Sequence, residues 1–198
     1  MPTRGHVKAL LLGAATYGVI VNTALLFSVL APIYVLRGPV SGFVSVVTYN
    51  IVAFGKRYIS PALDMASFLS IIVITASTLN VIAGLAVTYA TLRKGKVGLV
   101  VAETLMASSL TLLISLGTLS GIRRIVSFEL AHLTRNYGYV ASAGRVVIYG
   151  VHAYPTPASL IFKGLTYAAV TIPYVILATV AYVMLLRVRS EQSAEPSK

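Results

Sequence analysis

The sequence predicts an all-α membrane protein: a bundle of four transmembrane helices arranged as two tandem helix hairpins. Of its 198 residues, 57% are hydrophobic and 11% are charged, whereas soluble domains carry about 25% charged residues. The mean hydropathy is +0.86. Four apolar stretches are each long enough to cross a bilayer, which takes about 20 residues. A chain with so few charges has a surface suited to lipid rather than to water.

The predicted spans cover about residues 7–36, 61–92, 97–119 and 157–186. The first stretch is far longer than the apolar part of a signal peptide, about 7–15 residues, so we expect it to be retained. The second and fourth begin with Ser60-Pro61 and Thr156-Pro157, which place a capping hydroxyl before a proline at the first helical position. Residues 1–189 are therefore predicted to form a single transmembrane domain, and residues 190–198 a disordered polar tail.

Residues 37–60 and 120–156 connect the two spans of each hairpin and are predicted to be β-like and extracytoplasmic. Both contain β-branched and aromatic runs of strand length. We expect the strands to pair into one small sheet outside the membrane, because unpaired strand edges are not tolerated in lipid. Within the second connection, apolar residues recur at helical spacing, namely Ile122, Ile125, Val126, Leu130 and Leu133. This segment is either a continuation of the third helix or a separate helix at the interface.

The two halves of the chain resemble each other. Gly42–Ser45 is similar to Gly138–Ala141, and Tyr58–Ala62 is similar to Tyr154–Ala158 at the same offset. We interpret this as an internal repeat of one hairpin, with both copies running in the same membrane direction. The alternative is that two unrelated hairpins share only their capping residues.

The chain is basic, with 16 Lys and Arg, 5 Asp and Glu, and a formal net charge of +11. In a membrane protein such residues flank the spans and contact anionic lipids, an interpretation favoured over nucleic-acid binding. Lys and Arg are divided equally between the two membrane sides. The compact basic cluster at 93–96 and the arginines at 187 and 189 favour cytoplasmic termini in a multi-pass protein of the cell membrane. The absence of Cys and Trp favours a thermophilic source.

Polar residues inside spans are the first candidates for function. Asn22 and Asn80 lie near the middle of the first and second spans and form a midplane pair. They could contribute to an ion or solute site, but a hydrogen bond that joins two helices is the favoured interpretation.

Charged residues near the span ends form two further candidate groups. Glu103 and Lys8 are intramembrane charge candidates at comparable depth, suited to a proton or cation relay but better explained as an ion pair. Asp64, Lys163 and Arg123 lie near the loop-side ends of their spans, where a structural ion pair is again favoured over a binding site.

The sequence offers little for catalysis. It has no Cys, no pair of histidines at metal-binding spacing and no recognisable nucleophile motif. A single Glu-x-x-His, at Glu129 and His132, lacks the second copy that a di-metal site requires. We therefore predict no enzyme, no cofactor and no metal. A membrane enzyme is the least favoured of three hypotheses because the chain has so few carboxylates.

The favoured function is a non-catalytic subunit or scaffold of a membrane complex, acting through its helices and extracytoplasmic connections. The expected partners are membrane lipids and other membrane-protein subunits or further copies of the chain, and no nucleic acid is expected. The alternative is a small transporter or channel that uses the midplane polar residues. It would have to be oligomeric, because four helices enclose little space for a pore.

Overall fold

The computed structural model describes residues 4–93, 98–136, 140–142, 145–147, 151–165 and 168–194. Its helices are α1 (Arg4–Leu30), α2 (Pro61–Arg93), α3 (Leu99–Asn136), α4 (Pro157–Leu165) and α5 (Ala168–Ala194). Its strands are β1 (Tyr34–Arg37), β2 (Val40–Val44), β3 (Tyr49–Ala53), β4 (Lys56–Arg57), β5 (Val140–Ser142), β6 (Arg145–Val147) and β7 (His152–Pro155).

Three helical segments are long and apolar enough to cross a membrane: Gly5–Leu30, Pro61–Arg93 and Leu99–Arg135. They leave many large apolar side chains exposed, among them Ile20, Phe27, Phe68, Ile71, Leu79, Ile82, Leu85, Leu110 and Ile114. Such extensive apolar exposure is unfavourable in water and is the normal condition of a helix that faces lipid. The protein is therefore a predominantly helical membrane protein.

The fourth predicted span, 157–186, falls on two helices, α4 and α5, and residues 166–167 between them lie outside the described residues. The apolar part of α5, Ile172–Arg187, is shorter than the three long segments. Pro173 lies inside α5 and has no backbone N–H to donate to the preceding turn. Helix α5 continues to Ala194, so it includes the first part of the predicted polar tail; residues 195–198 of that tail lie outside the described residues.

The sequence-based assignment to an all-α class is incomplete, because the described chain also contains a five-stranded antiparallel sheet in the order β4-β3-β2-β1-β7. Strands β1 to β4 come mainly from the first connection. Strand β7, from the second connection, pairs with β1, so the expected joint sheet forms. Strands β5 and β6 form a separate two-stranded pair.

Helix α1 ends at Leu30, before the predicted end of the first span at residue 36. The apolar sequence continues into β1, where Leu36 is buried. An apolar run of this length can continue a helix or form a short strand, so periodicity alone does not separate the two.

Two features shape the sheet. The turn between β3 and β4 has positive φ at both Phe54 (49°) and Gly55 (77°), as a two-residue type I′ hairpin requires. Gly42 in β2 has φ of 135°, and a Cβ at this position would lie 1.9 Å from the carbonyl oxygen of Asn50. Only glycine fits there without moving the neighbouring strand.

Helix α3 is continuous over 38 residues, so the segment 120–136 is an extension of the third helix rather than a separate one. At 1.5 Å per residue it is about 57 Å long, compared with about 30 Å for the hydrocarbon core. The predicted apolar face of this extension is largely buried, including Ile122, Val126 and Leu133.

The chain divides into two compact units. The terminal unit comprises Met1–Thr23, Ala76–Ser115 and Tyr167–Lys198, and the sheet unit comprises Ala24–Thr75 and Leu116–Thr166. Each is considered separately below.

Candidate functional site

In the terminal unit, three helices meet at a buried polar network. Asn80 donates from Nδ2 to Oδ1 of Asn22 over 3.3 Å, and Thr111 donates from Oγ1 to Oδ1 of Asn80 over 2.8 Å. Asn22 also donates to the carbonyl oxygen of Gly18 on its own helix over 2.8 Å. Asn22 is 0% exposed and Asn80 5%. The two midplane candidates are thus brought together, and Thr111 joins them.

Glycine allows these helices to approach each other closely. A Cβ on Gly84 of α2 would lie 2.6 Å from Cγ2 of Val19 and 3.3 Å from the carbonyl oxygen of Ala15 on α1. A Cβ on Gly18 of α1 would lie 2.7 Å from the ring of Tyr174 on α5. Small residues at such crossings bring backbones near enough for short polar side chains to bond across helices.

The network is neutral and contributes hydrogen bonds rather than charge. Beside the network, the hydroxyl of the fully buried Ser77 makes no hydrogen bond in the described part of the chain. Ser77 lies one turn before Asn80 on α2, a position at which the sequence gives no distinguishing signal. The group can bind polar atoms, but it holds no acid or base for proton transfer.

The charge candidates Glu103 and Lys8 are not brought into a pair. Glu103 is exposed on α3 and Lys8 is partly exposed on α1. No ion pair joins these two side chains within the described residues.

In the sheet unit, Asp64 takes part in a link between the sheet and the start of α2. Tyr49 of β3 donates from its hydroxyl to Oδ1 of Asp64 over 3.0 Å and accepts the backbone N–H of Ser60 over 3.0 Å. Ser60 in turn accepts the backbone N–H of Leu63 on its hydroxyl oxygen, as a helix N-cap does. Burial and the neighbouring Asp64 carboxylate raise the pKa of Tyr49 above its ordinary value of 10.0.

A second phenol contacts a buried carboxylate that the sequence-based site prediction did not include. Tyr58 donates to Oε1 of Glu129 on α3 over 2.6 Å, and Glu129 is 8% exposed. The described residues contain no group of three or more potential metal ligands, so His132 near Glu129 does not complete such a group there.

The other two loop-side candidates, Arg123 and Lys163, line one cavity of about 230 Å³ in the sheet unit. The remaining lining residues are Ile33, Tyr34, Val126, Ser127, Ser159 and Phe162. Asp64 is not among the residues that line this cavity. The structure therefore places two of the three loop-side candidates at one cavity.

The five-stranded sheet has one buried face and one accessible face. Leu36, Val40, Val44 and Ile51 are buried on the first. Residues paired across antiparallel strands point to the same side. The strand register therefore places on the other side a set that we call the outer face, consisting of Val35, Arg37, Ser41, Phe43, Asn50, Val52, Arg57, His152 and Tyr154.

The centre of the outer face is an apolar row across three strands, because Val35 pairs with both Phe43 and Tyr154. The guanidinium of Arg37 lies 5.5 Å from the centre of the Tyr154 ring, within the range of a cation–π contact. Among these described strands the outer face carries arginine but no Asp or Glu. It presents aromatic and cationic groups without an acidic counterpart of its own.

No protein-family model, curated protein or solved structure matches the chain. A functional assignment therefore rests on the geometry of the network, the cavity and the outer face.

Proposed function

We propose that this protein is a non-catalytic subunit or scaffold of a membrane complex, and that the outer face of its sheet contacts a neighbouring protein. The observation that carries the proposal is the row Tyr154–Val35–Phe43 beside Arg37, on a face without carboxylates. Protein interfaces are enriched in aromatic residues and Arg and depleted in Asp and Glu. Such anchors also account for most of the binding energy in measured interfaces.

The proposed arrangement in the membrane has four spans, with α4 and α5 supplying the fourth. The protein is a multi-pass component of the cell membrane, with cytoplasmic termini and an extracytoplasmic sheet. Supporting this orientation, basic residues close to span ends mark the cytoplasmic side. We include in the proposal that the two hairpins arose by duplication, since Pro61 and Pro157 begin helices at corresponding places.

The test uses tagged full-length protein purified from its native membranes in mild detergent and analysed by mass spectrometry. The variant Arg37→Ser/Phe43→Ser alters the outer face, whereas the control Phe54→Ser alters an aromatic residue in the β3–β4 turn that is 55% exposed. A stoichiometric partner should be retained by the wild type and the control and lost by the outer-face variant. Unchanged partners in all three, or a wild-type protein that purifies alone, would contradict the proposal.

A second candidate is a small oligomeric transporter or channel that uses Asn22 and Asn80. It is favoured by the buried hydroxyl of Ser77, which has no hydrogen-bond partner in the described residues. In liposomes, Asn22→Leu and Asn80→Leu should each abolish solute or ion flux while the protein stays folded. Flux that persists in both variants would exclude this candidate.

A further inference from the structure

The cavity beside α4 carries an inference that is independent of the proposed protein partner. We propose that it binds the phosphate head group of an anionic phospholipid, with Arg123 and Lys163 contacting the phosphate. The lipid chain then follows the apolar wall of the cavity into the membrane.

The cavity contains the chemistry that such a head group requires. Arg123 on α3 and Lys163 on α4 supply two positive charges to a space of about 230 Å³. A guanidinium binds two phosphate oxygens at once, whereas an ammonium acts as a point charge. None of the described lining residues is acidic, so the lining carries no negative charge that would repel a phosphate.

A buried serine belongs to the same lining. Ser159 lines the cavity although the residue is only 2% exposed. Its backbone N–H donates to the carbonyl oxygen of Thr156 over 3.0 Å. In the proposed complex, the Ser159 hydroxyl donates to a phosphate oxygen.

The N-terminal end of α4 also favours an anion. Ser159 lies in the first turn of this nine-residue helix, where backbone N–H groups and the helix dipole favour an anion. Thr156, which precedes the helix, directs its hydroxyl to the carbonyl oxygens of Pro32 and Ile33 rather than to the N–H groups of α4. Its side chain therefore does not cap the helix.

The apolar part of the lining favours a lipid over a free phosphate ion. Ile33, Val126 and Phe162 line the same cavity as the cations. Along α3, the residues from Thr104 to Ile122 carry no charge, and this stretch of about 28 Å approaches the thickness of the hydrocarbon core. Arg123 follows it directly, at the level where cationic side chains meet lipid head groups.

The experiment measures lipid retention by native mass spectrometry on full-length protein in detergent micelles. The probes are phosphatidylglycerol and phosphatidylcholine with identical acyl chains, and inorganic phosphate is added in a third arm. The variants are Arg123→Gln, Lys163→Gln and their combination. The matched control is Arg124→Gln, because Arg124 is exposed on the same helix and does not line the cavity.

Phosphatidylglycerol should be retained in preference to phosphatidylcholine by the wild type and by Arg124→Gln. Retention should fall about fivefold in each single variant and about twenty-five-fold in the double variant, following the interaction expected for each cation near an anionic head group. Circular dichroism must show equal helicity in all variants.

Equal retention of the two lipids, or an equal loss in Arg124→Gln, would overturn the proposal. Inorganic phosphate should displace the lipid only weakly, because it has no contact with the apolar wall. If phosphate binds as well as phosphatidylglycerol and depends on the same two cations, the ligand is a free anion and the lipid assignment is wrong.

Discussion

Asn80 is the residue on which the buried network of the terminal unit depends most. It donates to Asn22 over 3.3 Å and accepts from Thr111 over 2.8 Å, so Asn80→Leu removes two interhelical bonds at once. After the change, Thr111 keeps a bond to the carbonyl oxygen of Ser108 at 2.9 Å. Asn22 keeps its bond to Gly18, but its Oδ1 loses the donor that Asn80 supplied.

The expected loss in the free energy of unfolding follows from the number of hydrogen bonds removed. Interhelical hydrogen bonds in a bilayer average about 0.6 kcal/mol and reach about 1.7. A buried polar atom left without a partner costs about 1–3 kcal/mol. We therefore expect Asn80→Leu to lower the free energy of unfolding by about 1–3 kcal/mol. The coupling between Asn22→Leu and Asn80→Leu in a double-mutant cycle should be about 0.6–1.7 kcal/mol.

The assay is steric trapping of the unfolded state in bicelles, which gives a free energy of unfolding for each variant. Thr88→Val is the matched control, because Thr88 lies on the same helix and donates to the carbonyl oxygen of Gly84 within that helix, at 2.8 Å. That control should stay close to the wild type. If Asn80→Leu is as stable as Thr88→Val, or if the cycle shows no coupling, the network does not join the helices and the reasoning fails.

Two further predictions concern the same crossings and the sheet. Gly18→Ala should be less stable than Gly13→Ala by about 1–3 kcal/mol. The reason is that a Cβ on Gly18 meets the Tyr174 ring, whereas a Cβ on Gly13 meets nothing within 4 Å. Equal stability of the two variants, measured by steric trapping, would show that the ring moves aside freely. For Tyr49, the raised pKa means that its contribution to stability is present below pH 10 and is lost as the pH rises through the raised value. The melting temperature of Tyr49→Phe should therefore fall less steeply above pH 10 than that of the wild type, and parallel curves would refute the role of its link to Asp64.

The sequence predicts the features that depend on local composition. The three long helices follow from apolar length. The helix start at Pro61 follows from the Ser60 cap and the proline, and the start at Pro157 follows from the proline alone. The depth of Asn22 and Asn80 in the membrane can likewise be predicted from the sequence, since position along a spanning helix fixes depth.

Features that depend on strand register or on helix rotation could not be predicted in this way. Tyr49 reaches Asp64 across 15 positions, and Tyr58 reaches Glu129 across 71. Both contacts require the strands and turns to be placed first. Arg123 and Lys163 were predicted at similar depth, but only the packing of α3 and α4 decides that they share a cavity from which Asp64 is excluded.

The strands of the five-stranded sheet are synthesised at different times. Strands β1 to β4 leave the ribosome early, but the edge of β1 is completed by β7, and the hydroxyl of Thr156 bonds to a carbonyl 124 positions earlier. Until the second connection emerges, β1 presents an open row of backbone donors and acceptors. A nascent chain halted after α3 therefore contains four of the five strands and lacks the strand that completes the edge of β1.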